Sequence, residues 1–422
     1  MLDFLAFSWI WQQPVKLERL EPLRWHQAEI FILPDRADDR TEKIVRQYVD
    51  NLANKGLSPS LQGVWLQSEG VSLGSHQGKN PLAAASLTKI ATTLAALETW
   101  GHSHQFETSV YTTGSIDNGT LKGNLIVFGG GDPLFVWEEA IALANAIEKT
   151  GIRRVEGNLI VVGDFYLNFK SDRALSAKLL RVGLNSALWS RGTWNSYTNM
   201  PPGTLKPNLE ISGSVLSSDR KPKHSKPIVR RKSLPLSEIL RQMNIYSNNY
   251  MAQMLTDLVG GGQVVAKIAL GAAKVPPTEI NLINGSGLGV DNRLSPRAVC
   301  AMLMAIETRL KSESVSVIDL FPVAGRDRKG TLKNRSLPEG TAVKTGSLSG
   351  VSALAGVIPT REKGLVWFAI INHGNKDLDL FRAEQDRLLD NLSQHWQVIP
   401  SRNNSHPGFF GDPSRNVIGT NE

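Results

Sequence analysis

Between about Gly101 and Arg230 the hydrophobic pattern of the chain changes character, and that break limits the architectures open to it. Upstream, Ile44, Val45, Tyr48, Val49 and Leu52 recur at helical spacing and stop at Gly56. Val64, Leu66, Val71 and Leu73 then stand among polar residues about a Glu69-Gly70 turn, the pattern of a hairpin. From Ser86 to Trp100, Ile90, Leu94 and Leu97 line one face of an Ala-rich helix that Gly101 ends. Inside the break, Gly-rich turns separate short strand patterns. Gly123-Asn-Leu-Ile-Val127 is echoed by Gly157-Asn-Leu-Ile-Val161, with a helix from Glu138 to Lys149 between them. Downstream, helical patterning returns at Ser237–Met243, Tyr250–Val259 and Pro296–Lys311. Two β-rich runs follow, Ala342–Ile358 and Leu365–Asn372, joined by a loop at Pro359–Gly364, and then an amphipathic helix, Leu380–Trp396.

Strands from both flanks can join one antiparallel sheet covered by helices, so the reading is an α/β (α+β) fold with a discontinuous domain. Its parts are residues 40–103 and 227–397, interrupted by a β-rich insertion at 104–226. Residues 1–39 carry no assigned role, and 398–422, rich in Asn, Ser, Pro and Gly, read as a disordered tail. The start is apolar but short, with no Lys or Arg before the apolar run and no small-x-small cleavage pattern, so it reads as a poor signal peptide and is too short to span a bilayer.

Three short motifs occur in order on the flanks: Ser86-Leu-Thr-Lys89, Ser247-Asn-Asn249 and Lys344-Thr-Gly346. Ser86 and Lys89 are three apart at a helix start, so their side chains share a face. The helix N-terminus adds backbone N–H groups that favour developing negative charge. A serine hydroxyl needs a base, and a neutral lysine supplies one. Lysine is ordinarily protonated up to about pH 10.4, and half-neutrality at pH 7 requires roughly 4–5 kcal/mol of destabilisation of its charge. Burial and a nearby cation, here Lys344, both act in that direction. Ser247 is placed to relay a proton to the leaving amine, and Asn249 to orient Lys89 and the substrate amide. The hydroxyls of Thr345 and Ser347 suit a substrate carboxylate. With Gly346 between them, the backbone N–H groups of Ser347 and Ser86 suit an oxyanion, worth about 3–4 kcal/mol per donor.

Each motif alone is weak, but the ordered set, each in a fitting element, resembles the penicillin-binding and serine β-lactamase superfamily. More narrowly it is similar to the low-molecular-mass class C D-alanyl-D-alanine carboxypeptidases. Gly129-Gly-Gly-Asp-Pro133, Tyr246-Ser-Asn-Asn249, Asn284-Gly-Ser-Gly-Leu288 and Lys344-Thr-Gly-Ser-Leu348 look like segments of that family, from about residue 40 to 397. The long separation of Ser86 from Ser247 matches the place where such enzymes carry extra domains. The resemblance implies acylation of Ser86, Lys89 as base, and Ser247, Asn249 and Lys344 completing the site. It implies removal of terminal D-Ala from peptidoglycan peptides ending in D-Ala-D-Ala, covalent capture of β-lactam antibiotics, and no cofactor or metal. The periplasm or cell envelope follows from the substrate, with room for peripheral association with wall or membrane. Endopeptidase or β-lactamase activity at the same site, and a non-catalytic wall-binding protein, are the alternatives.

Other features have plainer readings. Lys and Arg number 47 against 39 Asp and Glu, a net charge of +8 that by itself selects no partner. The run Arg220–Lys232 has two prolines and no interleaved aromatics, so it reads as a solvated linker rather than a nucleic-acid site. Gly129-Gly-Gly-Asp-Pro lacks the Gly-Lys-Ser/Thr ending of a phosphate loop and reads as a turn. The single cysteine, Cys300, lies in an apolar helical run and reads as core. His102, His104 and His373 lack metal-ligand spacing and read as surface or capping residues. Glu279-Ile-Asn-Leu-Ile283 has Ile where a deacylating loop needs Asn. Ser286 belongs to a Gly-rich loop flanking the site. Arg326-Asp-Arg-Lys-Gly-Thr331 is either a solvated loop or a guide for the substrate carboxylate.

Overall fold

The computed structural model of the protein describes residues 38–399 and 408–419. The reading of the N-terminal segment falls outside those residues, apart from its last two.

Helix α1 (Asp39–Asn54) is capped by Asp38, which accepts from Arg40 N–H, and buries Val45, Tyr48, Val49 and Leu52. Strands β1 (Gln62–Ser68) and β2 (Val71–His76) form the expected hairpin. Glu69 and Gly70 both take positive φ, 47° and 83°, as a tight hairpin turn requires. Helix α2 (Thr88–Trp100) follows and is buried on almost every side, with Ile90, Leu94 and Leu97 fully enclosed. Each such side chain stabilises the fold by about 2 kcal/mol.

The interrupting region contains β3 (Glu107–Thr112), β4 (Leu125–Gly130), α3 (Trp137–Lys149), β5 (Leu159–Asp164), α4 (Arg173–Leu184), α5 (Arg191–Thr198), β6 (Val215–Ser218) and β7 (Lys226–Lys232). The flank resumes with α6 (Leu236–Tyr246), α7 (Asn249–Val259), α8 (Gly262–Ala273) and α9 (Pro296–Leu310). It ends with β8 (Ala342–Leu348), β9 (Val351–Thr360), β10 (Gly364–His373) and α10 (Leu378–Trp396); a last strand, β11, covers Asn416–Ile418.

Strands of both flanks make one antiparallel sheet in the order β8-β9-β10-β1-β2. Its two faces are both covered, which is why β10 is apolar at every position from Val366 to Ile371. Val366, Phe368 and Ile370 meet residues of α1 and α10; Trp367, Ala369 and Ile371 meet the core built on α2 and α9. The run Ala342–Ile358 is two strands rather than one, turned at Ser349-Gly350, with Gly350 at φ 69°.

A second sheet runs β6-β5-β4-β3-β7-β11. The Gly-Asn echo is its organising device. Asn124 Oδ1 accepts from Asn158 N–H at 2.8 Å, and Asn158 Oδ1 accepts from Ser214 N–H at 2.8 Å. Gly157 N–H donates to Gly123 and Gly213 N–H to Gly157. A Cβ at Gly157 would stand 2.4 Å from the Gly123 carbonyl, so only glycine lets these parallel strands stack. Gly213-Ser-Val-Leu216 is thus a third rung, missed in the sequence because Ser replaces Asn.

The interrupting region is also more helical than expected. Helix α4 has a sequence signal, since Asp172 caps Leu175 N–H, but α5 has no strong apolar stripe. The basic run Arg220–Lys232 is not all linker: its second half is β7, with Arg231 1% exposed. Nor is the C-terminal segment disordered where it is described. β11 pairs with β7, Arg231 opposite Asn416, and the strap reaches a buried Glu139. Composition cannot reveal order that comes from partners almost 280 residues away.

Candidate active site

Ser86 lies in a single 3-10 turn, Ala85–Leu87, immediately before α2 starts at Thr88. Ala85 is left-handed, φ 47°, a conformation that costs a side-chain-bearing residue about 1 kcal/mol or more. It is held there from above: Gly287 packs so tightly that a Cβ would stand 1.9 Å from the Ala85 carbonyl oxygen. Ala84 N–H donates to the Asn292 carbonyl, and His373 Nε2 lies 3.0 Å from the Ala83 carbonyl. His373 therefore braces the approach to Ser86 rather than sitting free on the surface. Burial lowers its pKa, and the bond to Ala83 opposes that.

Lys89 is fully buried and points back to Ser86, with Nζ 3.0 Å from Oγ. Two carbonyl oxygens flank the amine: Asn249 Oδ1 at 2.7 Å and the backbone oxygen of Ser286 at 2.6 Å. The Ser286 carbonyl is fixed by its own loop. Asn284 Oδ1 accepts from Gly287 N–H and Ser286 Oγ, while Asn292 Oδ1 accepts from Ile283 and Asn284 N–H. Burial holds the Lys89 ammonium down to about 7. Desolvation is the main cause, and like-charge repulsion couples this amine to that of Lys344.

The second motif turns a corner between α6 and α7. Ser247 ends α6 in a left-handed conformation, φ 51°, and Asn248 caps α7 by accepting from Met251 N–H at 3.1 Å. That corner sends Asn249 to Lys89 and Ser247 to Lys344, whose Nζ donates to Ser247 Oγ at 2.9 Å and to the Thr345 carbonyl at 2.7 Å. Lys344 is fully buried, and its pKa is driven well below the ordinary value by burial first and by the charge of Lys89 second.

Gly346 lets β8 approach the nucleophile. A Cβ there would lie 3.1 Å from Ser86 N, the Ala84 oxygen and Ala85 Cβ alike. Thr345 is nearly buried and Ser347 exposed at the edge of a 950 Å³ cavity that α10 helps to line. Arg382 of α10 donates to Ser347 Oγ at 3.3 Å. Neither the Ser286 carbonyl nor Arg382 was read from the sequence: the first is backbone, and the second stands in an otherwise ordinary amphipathic helix.

The remaining candidates are structural. Arg326 donates to Asp327 and the Ile318 carbonyl, and Asp327 also accepts from Arg241, so the guide role does not fall to Arg326. Glu279 pairs with Arg297 and accepts from Ser295 Oγ. Asp132 turns the Gly-rich segment by accepting from Leu134 N–H at 2.9 Å. Cys300 is fully buried, and desolvation raises its thiol pKa well above the ordinary value. His104 packs on Trp100 and Phe106. Among the described residues no cluster of three or more His, Cys, Asp or Glu is placed to hold a metal, and no helix is long and apolar enough to cross a membrane.

The model of the D-Ala-D-Ala carboxypeptidase 3 (S13) family matches residues 46–173 and 203–392. The chain belongs to that family. Relatives in it include the D-alanyl-D-alanine carboxypeptidase DacB of Haemophilus influenzae, 24% identical over 73% of this chain and 84% of that one. Another is the carboxypeptidase DacB of Mycolicibacterium smegmatis, 26% identical over 76% and 78%. The S13 fold is also seen in a predatory peptidoglycan endopeptidase from Bdellovibrio bacteriovorus, with TM-score 0.69, 21% identity, and 85% of this chain and 98% of that one covered. Penicillin-binding protein 4 (dacB) of H. influenzae superposes with TM-score 0.62, 20% identity, and coverage of 82% and 98%. As an S13 member the chain is a serine peptidase. The match ends at residue 392, so the C-terminal strap lies beyond it.

Proposed function

We propose that Ser86 is the acylated nucleophile of a serine-type D-Ala-D-Ala carboxypeptidase that trims peptidoglycan peptides in the periplasm or cell envelope. One observation carries this reading. A neutral lysine has two hydrogens and one lone pair; Asn249 Oδ1 and the Ser286 carbonyl accept the two hydrogens. The lone pair is left for the hydroxyl hydrogen of Ser86, 3.0 Å away.

In the reaction Ser86 Oγ attacks the carbonyl carbon of the penultimate D-Ala as its proton passes to Lys89 Nζ. The tetrahedral oxyanion lies between the backbone N–H groups of Ser86 and Ser347, which Gly346 allows to come close. The C–N bond breaks as the proton held on Lys89 passes through the Ser247 hydroxyl to the departing D-Ala amine, leaving Lys89 neutral again, while Lys344 orients Ser247 from the far side. Water then repeats the attack on the ester with Lys89 as base, releasing the shortened peptide and restoring Ser86. A β-lactam enters the same first step; its ring opens, its amine stays tethered, and the acyl-serine persists. No resident cofactor takes part in this scheme.

Intact-protein mass after incubation with benzylpenicillin tests it. The natural chain should gain one penicilloyl group and Ser86→Ala none. A folded natural chain that gains nothing rules the reading out.

A further inference from the structure

The two stretches matched to the S13 family leave residues 174–202 between them, and the surface built there is cationic and apolar at once. From Arg173 to Leu209 the chain has five Lys and Arg residues and not one Asp or Glu. Trp189 is buried there with Ile141 and Met200. By contrast Trp194 is 39% exposed, Leu188 48% and Leu205 66%. These three share one neighbourhood. Trp194 packs edge-on against Trp189 and Tyr197, with ring centroids 5.4 and 5.7 Å apart. Tyr197 Oη donates to the Thr204 carbonyl, next to Leu205. Ser186 N–H donates to the Pro207 carbonyl, which ties the turn ending at Leu188 to the same loop. Lys206 Nζ stands 4.7 Å above the Trp194 ring, and the exposed Arg191 begins α5. Carboxylates at the border are engaged: Glu148 accepts from Asn208 N–H, and Asp219 pairs with Arg173.

We infer that this surface docks the protein on an anionic lipid bilayer, with Leu188, Trp194 and Leu205 entering the headgroup boundary and Arg191 and Lys206 facing lipid phosphates. A soluble polyanion would use the cations and leave the two leucines in water. A sugar chain would stack on the Trp194 ring, where Lys206 already covers a face. A lipid surface uses every group: the leucines lose water, the indole sits at headgroup level, and the Lys206 stem lies along apolar surface with its ammonium outermost. The contact is peripheral, since no described helix is long and apolar enough to cross a membrane. Ser196 of the same helix lines a 480 Å³ cavity with Tyr246 and Asn248, the neighbours of Ser247, so docking through α5 carries the catalytic motifs close to the bilayer. The inference goes beyond the carboxypeptidase reading and does not depend on which peptide is cut.

Co-sedimentation of the full chain with vesicles tests it, comparing equimolar phosphatidylglycerol and phosphatidylcholine with phosphatidylcholine alone. The natural chain should bind the anionic vesicles about 10-fold or more tightly than the neutral ones, and added salt should narrow the difference. Leu188→Ser combined with Leu205→Ser should weaken binding to anionic vesicles about 10- to 100-fold. Arg191→Glu combined with Lys206→Glu should remove the preference for them. A natural melting temperature shows that each pair still folds; where the leucine pair does not, Leu205→Ser alone, at the most exposed of the three positions, should still weaken binding about 10-fold. A natural chain that binds both vesicles equally, or neither, overturns the inference. So does undiminished binding by the folded leucine variants, which would mark a contact made by charge alone or by another part of the chain. Binding of the natural chain to purified peptidoglycan but not to vesicles would make the wall polymer the occupant and overturn it as well.

Discussion

Lys89 Nζ stands 3.0 Å from Ser86 Oγ while both hydrogens of its neutral form are directed elsewhere, to Asn249 Oδ1 and the Ser286 carbonyl. Burial favours the free amine, holding the ammonium down to about 7, and that form has a lone pair for the Ser86 hydroxyl. Acylation by benzylpenicillin should rise with pH to a plateau, with a midpoint near that value. A flat profile between pH 5 and 9 in stopped-flow acylation would contradict the assignment of Lys89 as base.

The same burial sets a cost in stability. The folded value of Lys89 lies below its ordinary 10.5, so between about 7 and 10.5 the unfolded chain holds a proton that the folded site refuses. Stability therefore falls as pH falls through that window, by up to about 1.4 kcal/mol per unit, and Lys344 acts in the same sense. Lys89→Met should abolish acylation yet raise the urea midpoint at pH 7, because it removes a buried amine without removing volume. A lower midpoint would mean that the three hydrogen bonds of Lys89 outweigh its desolvation.

Asn249 offers a sharper probe of the acceptor arrangement. Asn249→Asp keeps the oxygen that accepts from Lys89 but adds charge, which favours the ammonium. The acylation midpoint should move up by a unit or more, with rate recovered at high pH, while Asn249→Ala should lose rate at every pH. If the Asp variant keeps the natural midpoint, the two side chains do not share a proton environment in solution.

Gly346→Ala tests the approach of β8 to the nucleophile. Three contacts at 3.1 Å, one of them Ser86 N, leave the new methyl no room unless the strand retreats by a few tenths of an ångström. Such a retreat misplaces oxyanion donors, and acylation should fall about 100-fold or more with a melting temperature close to the natural one. Natural acylation rates in this variant would place the oxyanion elsewhere.

The motifs were legible because their chemistry needs particular side chains: Ser86, Lys89, Ser247, Asn249 and Lys344 are read as letters and meet in space. The central sheet was legible from the alternation of Val64, Leu66, Val71 and Leu73 upstream and from two β-rich runs downstream. What escaped is what the chain does with backbone or with distance. The Ser286 carbonyl has no letter, Ala85 gives no sign of its positive φ, and the third rung at Gly213-Ser214 changes the residue while keeping the hydrogen bond. Arg231 looked like solvated charge because its partners, Glu139 and Asn416, lie far away on either side in sequence.

That last cluster predicts a role for the C-terminal strap. Glu139 is 2% exposed and pairs with both Arg231 and Arg415, while Gly411 N–H donates to it at 2.9 Å. Burial alone would raise the pKa of its carboxyl; the two guanidinium groups outweigh burial, and the net value lies below the ordinary one. Its folded value being depressed, Glu139 contributes stability at neutral pH that is lost as pH falls below the ordinary carboxylate range. Arg415→Ala should cost about 2 kcal/mol at pH 7, since it strips hydrogen bonds from a buried charge, and acid unfolding should begin at higher pH. A chain ending at Ile399 should lose more, because β7 then presents an open edge where β11 had paired. Urea unfolding at pH 7 and pH 4 measures both changes; equal midpoints for the natural chain and Arg415→Ala would show that the strap adds no stability to the sheet it edges.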